Sequence, residues 1–488
     1  MNKYILFFCL FISGCTKNFE KINTDPNRPK EITPGVMLGQ LQYRIVNTTI
    51  KASKSFTNAL MQVDAPRASA GGGGLHRYVI GTNAGIWTDL YGCLTDIEDI
   101  GAMSSALHED NYRAIALIYK SWAYSILTDL YGDVPYSQAT KATEALFQPE
   151  FDKQKYVYEQ LLKNLDTAAK ILNSGAALTY GGDMVYDANS VSAGASPGII
   201  KWKKFANSLK LRLLLRIYNR RDEMNINEQI TAILLNPDVY PVFTGNADEA
   251  IFKYTGSYPY FNPYYKSRQV DWRDNDYFTK FFINKLNEDE DPRRAAWATQ
   301  VVVNGQPQYT GIESGYPADV EYKVGKNSSY NDGLKTVASL GIMMTYAEVE
   351  FIKAELALRG FATGKTAREH YENGIKASMT QWGVTMPAGF LARPGVAYKI
   401  SGTSEQQLEQ ILLEKYYAYF FVDYQSWFEK RRTGYPVLPR GAGIPAENNF
   451  PNRIPYPTYL QSLNPDNLAA AVASIGGDNS DVKVWWAQ

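Results

Sequence analysis

Apolar positions recur along this chain at the three-to-four-residue spacing of amphipathic helices, in stretches separated by long polar segments. Residues 36–62 place Leu38, Leu41, Ile45 and Ile50 at that spacing. Helical spacing returns over Trp87–Met103, Tyr112–Tyr131 and Lys155–Leu172. Ile199–Arg221 is the strongest helix signal, apolar on one face and basic on the other, and Asn225–Asn236 is a shorter partner closed by Pro237. Further helices are predicted over Leu340–Arg359, Ala367–Trp382 and Ser404–Trp427, with a short one near Pro465–Ile475.

Between these stretches the pattern breaks down. Gly71–Gly74 is a glycine run, and residues 174–198 are rich in Gly, Ser and Ala. Residues 237–335 are dense in turn signals, with β-favouring pieces such as Gln300–Asn304. The tail, 433–488, is rich in Pro, Gly and Asn. We therefore expect one domain over 36–488, mainly α, with irregular insertions at about 63–86, 174–198, 237–335 and 433–488. Loops that long inside a folded protein usually carry function. In Leu340–Gly383 the second helix sets Ala367, Tyr371 and Gly374 at small–large–small spacing, the pattern that lets paired tetratricopeptide helices approach closely. An array of such helix pairs is the expected scaffold.

The N-terminus changes the picture of where this body works. Lys3, the apolar run Tyr4–Ile12 and the small pair Ser13-Gly14 read as a signal peptide over 1–14. Ile12-Ser13-Gly14-Cys15 is a lipobox, so cleavage before Cys15 would leave a lipidated cysteine, and several acyl chains on one residue anchor a protein stably. The apolar run is too short to span a bilayer. Residues 15–35 are the lipidated Cys and a polar tether with three prolines in its sequence. Removal of the leader takes Lys3 from 50 basic residues, leaving 49 against 50 acidic ones, a balance that argues against a nucleic-acid partner. Cys9 leaves with the leader and Cys15 is lipidated, so Cys93 is the single free thiol and no internal disulfide is expected. Aromatics are in excess, with 35 Tyr, 21 Phe and 9 Trp, a composition that serves both helix packing and recognition surfaces.

An ordered set of segments resembles the SusD/RagB family of Bacteroidetes outer-membrane lipoproteins, in its SusD-like branch. After the lipobox come INTDPNRP (22–29), LTDLYGDVPYSQA (127–139), TYAEVEFIKAELALRG (345–360), LLEKYYAYFFVDYQSWFEKRRTGYP (412–436) and NNFPNRIPYP (448–457). Each is weak alone, and the order makes the set specific. The resemblance implies tetratricopeptide-like helix pairs packed against an irregular, loop-rich half with a few short strands. It implies a lipid-anchored, cell-surface protein of the outer membrane that binds an oligosaccharide or other nutrient for a SusC-like TonB-dependent transporter. It also implies that Trp87 and the segment around Trp427 and Arg431 are structural.

Sugars stack their C–H faces on aromatic rings while their hydroxyls meet planar polar groups, and mixed pockets of that kind are typical small-ligand sites. The run 254–277 interleaves such residues, and from it Tyr258, Tyr260, Tyr264, Arg268, Trp272 and Asp274 are candidate ligand contacts. The glycine-rich stretch 64–82 would bring Arg67 and Tyr78, with His76 and Arg77, to the opposite wall. Single rings in either segment would equally serve packing. Asp129, Asp133 and the acidic run Glu288–Asp291 lack the spacing of a calcium loop and read as helix ends, so neither metal nor cofactor is expected. No nucleophile elbow, zinc-protease motif or phosphate loop is present, which points to a binding protein and not an enzyme. A peptide receptor of the same uptake system and a lipid-anchored glycoside hydrolase are the alternatives.

Overall fold

The computed structural model describes residues 32–68 and 74–488. The leader, Cys15, the tether up to residue 31 and Gly71–Gly73 lie outside the described residues. The helices are α1 (Pro34–Ala52), α2 (Ala84–Ala106), α3 (Asp110–Tyr131), α4 (Gln154–Ile171), α5 (Pro197–Arg216), α6 (Ile226–Leu235), α7 (Lys280–Glu288), α8 (Tyr346–Leu358), α9 (Ala367–Gln381), α10 (Ser404–Ala418), α11 (Gln425–Thr433) and α12 (Pro465–Ile475), besides single turns. Their starts are chemically marked. The Asn83 side chain accepts from the Ile86 amide ahead of α2, and reciprocal capping boxes Thr366/Glu369 and Thr403/Gln406 open α9 and α10.

The helices stack as neighbouring antiparallel pairs: α2 on α3, α3 on α4, α4 on α5, and α8 on α9. Helix α3 is apolar almost all round because it is sandwiched, and Tyr112, Tyr119, Trp122 and Tyr131 are fully buried. In the α8–α9 pair, a Cβ on Gly374 would lie 2.7 Å from the Phe351 ring, so the small position foreseen in the sequence is the contact point of the two helices. Buried ion pairs tie helices distant in sequence. Arg212 of α5 forks onto Glu348 of α8, and Arg432 of α11 forks onto Glu355 of α8 at 2.6–2.7 Å.

The other half is irregular. Its strands form three two-stranded antiparallel ribbons: β1 (Asp64–Pro66) with β3 (Asp276–Phe278), β2 (Ala250–Phe252) with β6 (Gly341–Met344), and β4 (Val301–Val303) with β5 (Gln306–Gln308). The last is a hairpin turning at Asn304-Gly305, both at positive φ (51° and 78°), as a two-residue turn requires. The largest apolar core runs through both halves, with smaller clusters between α8, α9 and α10 and around Ala65, Tyr277, Ile312 and Tyr316.

Three expectations are corrected. Residues 341–344 pair as β6 instead of opening a helix, and α8 starts only at its Thr345 cap, because a four-residue buried apolar run does not distinguish strand from helix. The stretch 404–427 is two helices, since the chain turns at Tyr419–Tyr424 with Phe421 in the left-handed region (φ 64°). Helix α7 lies within a segment read as irregular, where Thr279 caps it by accepting from the Phe282 amide.

Candidate functional site

The aromatic run 254–277 lies along α1. The Gln40 amide donates to the Tyr260 hydroxyl (3.2 Å), Tyr43 donates to the Phe261 carbonyl (3.1 Å), Tyr254 to Asn47 (2.8 Å) and Tyr264 to the Ile50 carbonyl (3.1 Å). Most of these rings therefore pack the irregular half onto the first helix. Trp272 is 1% exposed. Its indole N–H donates to the Asn331 carbonyl (3.3 Å), its ring sits 4.9 Å from Tyr264 and 5.4 Å from Tyr330, and the Lys54 ammonium lies 5.7 Å above it. The expected stacking role of Trp272 is thus corrected, since its ring presents no free face; Tyr264 is half-buried, and burial holds its phenol far above its ordinary pKa. Tyr258 is the opposite case, 89% exposed at a loop tip. Arg268 is exposed and closes on Asp271 (2.7 Å), and Asp274 is half-buried just before Asn275, whose carbonyl accepts from the Arg67 amide (2.7 Å).

The candidate residues fall into two groups. Tyr260 lies beside the early turns of α1, with the exposed Tyr258 two positions before it. Arg67 and Tyr78 lie beyond the turn Asn58–Leu60 that extends it, against which the turn Leu75–Arg77 packs. About 20 residues of helix separate these ends, roughly 30 Å at the α-helical rise.

At the second end several segments converge: 64–68 and 74–80, 314–322 and 437–450. The His76 ring lies 4.7 Å from Tyr316, and Tyr316 meets Tyr322 edge-on at 5.2 Å. Arg67 pairs with Glu321, and its carbonyl accepts from the Tyr322 amide (2.9 Å). Tyr78, buried and at φ 63°, sets its ring edge-on to Phe450 (5.2 Å) and accepts from Gln62 (3.4 Å). Arg77 donates to the Gly443 carbonyl (2.7 Å), and Asn448 donates back to the Arg77 carbonyl (3.1 Å). The strands of chain at 314–316 and 441–443 touch backbone to backbone. A Cβ on Gly443 would come within 2.3 Å of the Tyr316 carbonyl carbon, so glycine is required there.

This end also holds polar atoms with no partner. His76 is 1% exposed and Arg77 8%, yet both His76 ring nitrogens, the Arg77 Nη1 and the Ser314 hydroxyl make no hydrogen bond with the described residues. A buried polar group without a partner costs about 1–3 kcal/mol, and such groups occur elsewhere among the described residues too, as at Tyr119, Trp297 and Arg453. Burial, and then the charge of Arg77, pushes the His76 imidazole down to about 4, so it is neutral at pH 7 with one donor and one acceptor nitrogen. Tyr316, Tyr322, Arg440, Asn448 and Phe450 were not candidates in the sequence; the only local signal was Arg440-Gly441-Ala442-Gly443, a second place where backbone can come close.

The remaining candidates are absorbed by structure. Trp427 is buried under the Arg431 guanidinium (4.4 Å) and donates to the Pro451 carbonyl (2.9 Å). Asp129 accepts from Tyr158 and Trp486, Asp133 accepts from the Gln154 amide, and Asp291 holds Arg293. Among the described residues no group of three His, Cys, Asp or Glu could hold a metal ion. The Cys93 thiol is buried and pushed up to about 12, which makes it inert. A separate cavity of about 210 Å³ is floored by Trp87 and Tyr91 and rimmed by Phe147 and Leu463. The Tyr91 hydroxyl, Thr140 hydroxyl and Asn464 amide in its wall already donate to Pro135, Ala139 and Pro149, leaving it without a directional group.

The fold is thus a scaffold of helix pairs carrying a loop-built half, with polar and aromatic side chains gathered at one end. Residues 26–457 match the SusD-like family described as "Starch-binding associating with outer membrane", and the chain belongs to that family. It is similar to a SusD homolog from Bacteroides uniformis, at 27% identity over 94% of this chain and 100% of that one, with a TM-score of 0.76. The fold is also that of a SusD homolog from Bacteroides fragilis (24% identity, 94% and 100% covered, TM-score 0.80). It is likewise that of a chitin-binding SusD homolog from Flavobacterium johnsoniae (24%, 93% and 98% covered, TM-score 0.78). No curated protein sequence matches the chain.

Proposed function

We propose that this protein is a cell-surface lipoprotein that binds a nutrient oligosaccharide and passes it to a SusC-like TonB-dependent outer-membrane transporter. The observation that carries the reading is the family match over 26–457, whose description joins starch binding to the outer membrane. The end beyond Asn58–Leu60 supports it: half-buried rings at Tyr322 and Phe450 occur together with the partly exposed Arg67 guanidinium and the exposed Arg440, the mixture that a sugar's C–H faces and hydroxyls need. The chitin-binding neighbour from Flavobacterium adds a glycan precedent on the same fold. The lipobox at Cys15 supplies the anchor.

The test is a glycan and peptide array probed with the full chain. Binding is expected on glycans and should weaken about tenfold in Tyr322→Ala and in Arg67→Ala, the scale of a lost hot-spot contact, while Tyr258→Ala leaves it unchanged. A hit confined to peptides would replace the ligand class with the peptide-receptor alternative. The bound glycan should be recovered intact; release of a shorter product would move the protein to the glycoside-hydrolase class. Delivery is tested separately, by co-purification of a TonB-dependent transporter from detergent-extracted outer membranes.

A further inference from the structure

Three cations gather at this end of the fold without an acidic partner among the described residues. Arg77 spends its Nε on the Gly443 carbonyl and keeps Nη1 unpartnered. Lys430 donates to the Gly434 and Pro436 carbonyls (2.9 Å each) and lies 5.2 Å above the Phe450 ring. Arg440 donates to the carbonyls of Pro445 and Asn448. All three use backbone carbonyls, which carry no charge to offset theirs.

The acids nearby do not relieve them. Glu321 is taken by Arg67 and Glu313 by Lys280. Glu447, the one acid in 437–450, is exposed and joins no ion pair with the described residues. The cations border a single patch. Phe450 is 5.2 Å from Tyr78, the Arg440 charge acts on the Tyr78 hydroxyl, and Asn448 links Arg440 to Arg77. Arg440 and Val437 are exposed and Lys430 and Phe450 half-buried, so the patch opens to solvent. The whole chain has a formal net charge of zero, which makes this a local concentration of positive charge. Low-dielectric ring faces beside it strengthen its field. A buried guanidinium nitrogen with no acceptor is costly unless an anionic oxygen reaches it, and a planar carboxylate is the natural complement of a guanidinium fork.

We propose that this cluster receives the carboxylate of an acidic sugar, so that the nutrient is a uronic-acid-bearing oligosaccharide and not a neutral glucan. The inference rests on the glycan-binding reading and narrows its ligand class.

The experiment is calorimetric titration of the full chain with oligosaccharides of galacturonate, mannuronate and glucuronate. Each is matched to its carboxyl-reduced counterpart, which keeps the linkage and loses the charge. At least one acidic member should bind ten or more times more tightly than its reduced form, and that preference should shrink as salt rises from low to physiological strength. Arg440→Gln and Lys430→Met should each abolish most of the preference, and Arg440→Lys should restore part of it. A thermal midpoint close to that of the parent protein reports that these variants fold. Equal binding of acidic and reduced forms, or binding of neutral glycans alone, would overturn the acidic class and leave glycan binding standing. Binding of no glycan of either kind would overturn both.

Discussion

Trp272 and Tyr258 sit fourteen positions apart in one aromatic run and meet opposite fates. The first is closed in by Tyr264, Tyr330 and Lys54, while the second stands free at a loop tip. Their local sequences hold no sign of this difference. Pro259 and Pro263 mark the segment as loop, and a loop has no period from which to read an inward face. Trp272→Ala should therefore behave as a core truncation, costing about 3–5 kcal/mol in a denaturant melt while glycan affinity of the folded protein is unchanged. A normal melting midpoint with lost binding would return Trp272 to the site. Arg67 and Tyr78 were legible as candidates because the adjacent glycines permit close approach. Their partners Tyr316, Tyr322 and Phe450 were not, because those rings reach the cleft from hundreds of positions downstream.

Among the elements, those with a sustained apolar period were legible, and α3, α4, α5 and α9 lie within a few residues of the predicted spans. Short buried runs were not: β6 and the turn at Tyr419–Tyr424 are apolar without a helical period of their own, and cross-chain partners settle their form. The pair α8–α9 gives a sharp test. In an exposed helix Gly374→Ala would gain about 1 kcal/mol of propensity. Here the added Cβ would meet the buried Phe351 ring at 2.7 Å. Overpacking of about 1–3 kcal/mol should win, so Gly374→Ala should lower the thermal midpoint. A raised midpoint would mean that the two helices do not depend on that close contact.

For the molecule as a whole, buried acids make stability depend on pH. Burial pushes the Glu249 carboxyl up to about 8 against hydrogen bonds from the Tyr346 and Asn246 N–H groups. Burial and the charge of Asp276 push Asp64 up to about 7. In the unfolded chain both acids lose their protons near pH 4, so the folded state binds more protons from there up to about 8. Their contribution is full below the unfolded values and is lost as pH rises through the folded ones. His76 acts the other way, since its folded value of about 4 lies below the ordinary 6.5, and its effect is complete by pH 6.5. Between pH 6.5 and 8.5 the two acids act unopposed by His76, and the denaturation midpoint should fall. Glu249→Gln, which keeps the acceptor oxygen and removes the charge, should flatten that fall; an unchanged slope would show that Glu249 does not titrate in this window.

The sequence by itself determined the class of this protein: a lipobox, helix pairs at a repeat spacing, a family order of motifs, and aromatic loops between them. These are local or ordered signals, and each is complete within a few tens of residues. Only the tertiary structure decided which rings are core and which segments come together beyond the end of α1. Burial depends on what packs over a side chain, and the surface where 74–80 meets 314–322 and 437–450 exists only where distant parts of the chain touch. The charge balance of the chain is zero, and the three cations without an acidic partner became visible only when Glu321 and Glu313 had been given theirs.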